Sequence, residues 1–202
     1  MMPTTKRPPP MACLLGLALA ACGSTPVTHY YTLTAPAGAT APSAASWQFE
    51  LLPVDVPAQV DRAEMVVQQN SELTPVETRQ WAAPLGNELQ NAFSVALARR
   101  TGAHDVYGLP HDASLPTWRV KISLQRFDSA LGAYARIDAA WSLQRSGETA
   151  ATICSSTVSK PVAPGYEALA AGHQQAVDAI AAQIAQSLSV AATSGRTPHC
   201  PD

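Results

Sequence analysis

The sequence predicts an α+β domain of two layers, a mostly antiparallel sheet containing a meander with two main helices packed on one face. Three observations predict it. Trp118, Val120, Ile122 and Leu124 alternate with Arg119, Lys121, Ser123 and Gln125, the period of a half-buried antiparallel strand. Segments beginning at Pro84 and Gly165 repeat apolar residues at spacings of three and four, the period of a helix with one buried stripe. Apolar residues make up 47% of the 202 and charged residues 14%, a balance that supports a packed core over most of the chain.

Taken in order, Trp47, Phe49 and Leu51 alternate with Gln48 and Glu50 until Pro53, which reads as a strand. Ala63 to Gln69 and Leu73 to Glu77 are short β-prone pieces around Asn70-Ser71, a hairpin turn. Pro84 suits the first turn of a helix, and Leu85, Leu89, Phe93, Ala96, Leu97 and Arg100 follow at helical spacing until Gly102 stops it. After the strand at 118–125, Ala135, Ile137, Ala139, Trp141 and Leu143 point inward on a second. A turn at Ser146-Gly147 leads to a third strand, from about Thr149 to Ser159. Pro161 and Pro164 end this meander. A long helix from Gly165 then sets Leu169, His173, Val177, Ile180, Ile184 and Leu188 on one stripe to cover the sheet.

The first residues carry a different signal. Lys6 and Arg7 precede an apolar run from Met11 to Ala21, the layout of a secretory signal peptide. The run is too short to span a bilayer, which takes about 20 apolar residues. It ends Leu19-Ala20-Ala21-Cys22-Gly23, which looks like a lipobox with Cys22 as the lipid-attachment residue. Two or three acyl chains on one cysteine, palmitate among them, anchor stably where a single chain binds only marginally. Gly23 stands where inner-membrane lipoproteins tend to carry aspartate, so the expected location is the periplasmic side of the outer membrane. The expected organisation is a removed signal peptide over 1–21 and a lipidated, flexible tether over 22–46 with a short docked strand near 29–33. One α+β domain over 47–192 and a tail over 193–202 complete it.

Composition and motifs narrow the function. The formal charge is −2, and loss of Lys6 and Arg7 leaves 11 basic against 15 acidic residues, which speaks against nucleic acid as a partner. There is no Gly-x-Ser-x-Gly elbow, no metal-ligand spacing and no phosphate-cradling glycine loop. No cofactor, metal or catalytic residue is therefore expected, and the chain reads as a non-enzyme. His173 falls on the apolar stripe and reads as a core histidine. With Cys13 removed and Cys22 lipidated, Cys154 and Cys200 remain for an oxidising compartment, where two thiols usually pair. The alternative is two unpaired thiols with Cys200 in a mobile tail.

Several segments together resemble the ABC-type transport auxiliary lipoproteins, the family of PqiC and YmbA (DUF330). They are Tyr30-Tyr31-Thr32-Leu33, Leu52-Pro53-Val54 to Val60-Asp61-Arg62, Val66-Val67, and Arg79-Gln80-Trp81-Ala82-Ala83-Pro84-Leu85, the last read as opening the first helix. Ala83 stands where the family usually has glutamate, and Gln80 separates the arginine from the tryptophan. The resemblance implies a periplasmic docking subunit that works beside an MCE-domain, PqiB-like protein and helps move lipid or another hydrophobic cargo between membranes. It makes Arg79 and Trp81 candidate interface residues, since arginine and tryptophan are frequent binding anchors; the competing reading of Trp81 is a helix-start residue capping the core. A stand-alone lipoprotein that binds a hydrophobic ligand or assists envelope assembly is the alternative. The sequence leaves open a ring or other homo-oligomer.

Overall fold

Side-chain alternation becomes a four-stranded sheet in the computed structural model, which describes residues 26–36, 44–195 and 197–201. The expected signal peptide and the expected lipid-attachment residue Cys22 lie outside the described residues. The strands are β1 (His29–Tyr31), β2 (Gln48–Leu51), β3 (Glu64–Gln69), β4 (Glu72–Trp81), β5 (Thr117–Ala130), β6 (Tyr134–Arg145) and β7 (Ala151–Pro161). The helices are α1 (Leu85–Thr101) and α2 (Tyr166–Ser194). The larger sheet has the order β2-β5-β6-β7, and its last three strands are the expected antiparallel meander.

The sheet is not continuous. A second sheet of order β1-β4-β3 stands apart, and the short strands β1 and β2 join their neighbours in parallel. Within it, Asn70 opens the β3–β4 turn in the left-handed conformation, at φ 56°, which asparagine tolerates better than most residues. Pro75 pairs with Val66 on β3, while β1 meets β4 only at Arg79, Gln80 and Trp81. Proline is thus confined to a stretch of β4 with a strand on one side only, where its missing N–H leaves no ladder bond unmade.

The stretch from Arg79 to Leu85 departs from expectation. It does not open the helix: β4 continues to Trp81, and α1 begins only at Leu85. The backbone explains the difference, because Trp81 N–H donates to Ala63 O (2.7 Å) and Ala82 N–H to Tyr31 O (2.8 Å), holding this end of β4 between two chains. Helix α1 starts with Pro84 as its cap and no side-chain cap. Asp61 supplies part of what is missing, accepting from Gly86 N–H at 3.0 Å. Gly102 closes α1 at φ 71°.

The core lies between the helices and the inner faces of both sheets. Phe49, Leu89, Phe93, Val120, Ile122, Ile137, Leu143, Ile180, Ile184 and Leu188 are all buried in one cluster. Burying a side chain of this size stabilises the fold by about 1.5–3 kcal/mol. The two helices pack on each other and share Asp178, which accepts from both Arg99 and Arg100 of α1. Close approach of α2 to the segment after β7 is set by Gly172, where an added Cβ would lie 2.3 Å from Val162 Cγ1.

Candidate functional site

The chain enters the domain through a short segment clamped on three sides. β1 pairs with the end of β4, and beyond it Leu33 is buried at 1% exposure. Glu88 of α1 accepts two hydrogen bonds there, from Leu33 N–H and from Thr32 Oγ1, both at 2.9 Å. Gln174 of α2 donates to Thr32 O at 2.8 Å, and Asn91 of α1 to Thr34 Oγ1 at 2.9 Å. Glu88 itself is buried, so this carboxylate is committed to the entering chain. Sequence reasoning missed it, because a glutamate in the first turn of a helix reads as an exposed partner of the helix dipole.

Beneath this junction sits an aromatic cluster. Trp81 is 2% exposed and meets Phe127 and His173 edge-on, at centroid distances of 6.0 and 6.1 Å. Phe127 and His173 stack at 3.9 Å. His173 Nε2 lies 2.8 Å from Ser129 Oγ, while Nδ1 has no partner. Burial alone pushes the His173 pKa down to about 3, so the ring is neutral at physiological pH. Placing its proton on Nε2 lets that nitrogen donate to Ser129 and leaves Nδ1 a bare acceptor, the less costly orphan.

The Ser129–His173 contact has the distance of a nucleophile–base pair but not the setting. Ser129 is 3% exposed and His173 0%, and no third group orients the ring. A substrate carbonyl has no path to the hydroxyl. Of the two candidate interface residues, the structure places Trp81 in the core and Arg79 nearer the surface. The Arg79 guanidinium lies 5.3 Å from the Tyr166 ring centroid, at the start of α2, and its Nη1 donates to Thr78 O at 2.8 Å. No group of three His, Cys, Asp or Glu among the described residues is arranged to hold a metal. No helix among them is long and apolar enough to cross a membrane.

At the far end of α2 the tail folds back. Cys154 of β7 and Cys200 are joined by a disulfide, 46 residues apart in sequence. Closing a loop of that length contributes roughly 4 kcal/mol at most on the chain-entropy account. Two hydrogen bonds reinforce it, from Thr152 Oγ1 to Pro198 O (2.9 Å) and from Ser187 Oγ to His199 O (2.8 Å).

A family model matches residues 31–185, that of the ABC-type transport auxiliary lipoprotein component. The chain belongs to this family. The match begins at Tyr31, inside the clamped entry segment, and runs through most of α2, so it covers the elements that hold that segment. Two solved structures share the fold of this auxiliary lipoprotein. One, an uncharacterized protein, has 19% identity and a TM-score of 0.64, the alignment covering 81% of this chain and 99% of that one. The other is a DUF330 protein from Xanthomonas campestris, with 19% identity and a TM-score of 0.62 over 84% of this chain and 96% of that one. No curated protein matches the sequence. The family is one of transport auxiliary lipoproteins rather than of enzymes.

Proposed function

We propose that this protein is a periplasmic lipoprotein held to the outer membrane through lipid on Cys22, and that it is the docking subunit of an MCE-type, Pqi-like intermembrane lipid transport system. It performs no bond-making chemistry in this role. The observation that carries the reading is the clamped entry segment, since the chain leaving Cys22 is gripped by β4, α1 and α2 as soon as the domain begins. Six residues lie between Cys22 and His29, seven Cα steps with a fully extended reach of about 25 Å. Force applied between membrane and partner then passes from the lipid into the fold through Glu88 and the β1–β4 pairing, not through a loose leash. The family match supports the transport role, and the lipobox supports the anchor.

On this reading Arg79 is the residue of the pair that can face a partner, and Trp81 acts from below by fixing the strand that carries it. Affinity isolation of the lipidated protein from mildly solubilised envelopes tests the proposal. An MCE-domain protein is expected to co-purify with the wild type and to be depleted in Arg79→Glu. Recovery of the subunit alone, with extracted lipid bound to it, favours the stand-alone carrier instead.

A further inference from the structure

The length of the tether limits which face of the domain can meet the bilayer. Tyr30 lies eight Cα steps beyond Cys22, a reach of at most about 28 Å. A folded chain of this size is about 40 Å across. The surface around β1 is therefore held close to a membrane that carries Cys22, and the opposite surface lies farther round the domain than the tether can run.

That near surface has the chemistry of a membrane contact. Val27 is 73% exposed and Tyr30 67%. Among the described residues only Ile153 is as open, so two of the three most exposed large hydrophobic side chains fall on one four-residue stretch beside the anchor. Tyr30 pairs with Gln80, and strand alternation sends both to the face opposite Trp81. Tyr31 and Trp81 turn into the core, while Arg79 leans over the Tyr166 ring. The outward tyrosine is thus separate from the residue proposed for docking. No Asp, Glu, Lys or Arg stands between Arg7 and Glu50, so seating this stretch among lipid headgroups strips no full charge of its water. Tyrosine suits that depth, with an apolar ring and a hydroxyl that keeps a polar partner. A short tether holds the contact at a millimolar effective concentration, so it needs little affinity of its own.

We infer that Tyr30 and Val27 seat in the headgroup layer of the membrane that bears the lipid on Cys22, and that the domain stands on its β1 edge. The inference rests on the anchor proposed above. Because the β1–β4 pairing and the Glu88 clamp fix this segment to the fold, seating Tyr30 orients the whole domain toward its partner.

The test uses the lipidated full-length chain in vesicles of phosphatidylethanolamine and phosphatidylglycerol, with and without a phosphatidylcholine brominated near the top of its acyl chains. Trp47, Trp81, Trp118 and Trp141 are all buried, so the wild type gives a background that the bromolipid barely quenches. In Tyr30→Trp the bromolipid should remove most of the emission that the new indole adds, and that emission should shift to the blue on reconstitution. Leu109→Trp supplies the contrast. Leu109 is exposed in the loop after α1, about 20 Å along that helix from Glu88, and an indole there should stay unquenched. Val27→Trp reports with the native tyrosine in place, and adding Tyr30→Glu should abolish most of its quenching. All three positions are exposed, so the unfolding midpoint should not move.

The mass of the N-terminal peptide and flotation with the vesicles are read from the same sample. A chain that is acylated and floats, yet leaves the indole of Tyr30→Trp in water, overturns this surface and spares the anchor and docking readings. Equal quenching in Leu109→Trp, or Val27→Trp quenching indifferent to Tyr30→Glu, overturns it as well. An unacylated Cys22 overturns it together with the anchor.

Discussion

Replacing Trp81 with alanine lowers the free energy of unfolding by about 3–5 kcal/mol, the cost of emptying a large buried aromatic site. The residue is 2% exposed and braces both Phe127 and His173 edge-on, so its removal strips contacts from β5 and α2 at once. Arg79→Ala, two residues away, costs no more than about 1 kcal/mol, the scale of one cation–π contact near the surface. Urea unfolding of the two variants separates the roles. A Trp81→Ala protein that keeps wild-type stability yet loses its partner would mean that the indole itself is the contact, against the packing described above.

Acid weakens the fold over a window set by His173. The folded ring has a pKa of about 3, lowered by burial from an ordinary value of 6.5. Below pH 6.5 the unfolded chain therefore binds a proton that the native state refuses. A base whose pKa is depressed by folding contributes its full stability above the unfolded pKa, and that stability falls as pH drops toward the folded one. The slope approaches about 1.4 kcal/mol per pH unit, so the loss by pH 4 is about 3 kcal/mol. Asp138, whose carboxyl is held below its ordinary range by the hydrogen bond from Arg136, starts to lose its contribution only below about pH 5, as the unfolded carboxyl takes up a proton that the native one refuses. Stability measured between pH 7 and pH 5, above the range in which Asp138 and Asp112 take part, isolates the histidine. The Ser129→Ala/His173→Phe double variant, which removes both hydrogen-bonding partners together, is expected to flatten the slope over this interval.

Much of the fold is legible because its long elements keep one period. Trp118 to Leu124 point inward at every second residue, and so do Ala135 to Leu143. The period fails at a β-bulge between Leu124 and Arg126, where one extra residue moves the inward face from even to odd positions. That shift hides Phe127 and Ser129, the two β5 residues that touch His173, from any alternation read off the sequence. The split into two sheets is equally hidden. It rests on β1 and β2, of three and four residues, whose parallel partners are set by the packed whole and not by local pattern.

The site was readable in part. The Tyr30 to Leu33 segment is marked by its β-prone residues between small and proline-rich stretches, but its clamp is not, because Glu88 lies 55 residues from Leu33. Trp81 shows the opposite difficulty. Its neighbour Pro84 suggests a helix start, yet hydrogen bonds from two distant chain segments keep residues 79–82 extended. Tertiary contacts overrode the local signal there. The two remaining cysteines were open to pairing or to freedom, and the return of the tail along β7 brings their Cα atoms to 5.5 Å, inside the range that a disulfide bridges.

On the proposed reading, a folded docking domain hangs from lipid at Cys22 on the outer membrane. Density-gradient fractionation of envelopes, with the mass of the N-terminal peptide measured from the same fractions, tests it most directly. The expected result is a mature chain beginning at Cys22 with acyl chains on that residue, found with the outer membrane, and Cys22→Ala displaced from that fraction while still folded. An unmodified Cys22, or a Cys22→Ala protein that stays with the outer membrane, contradicts it.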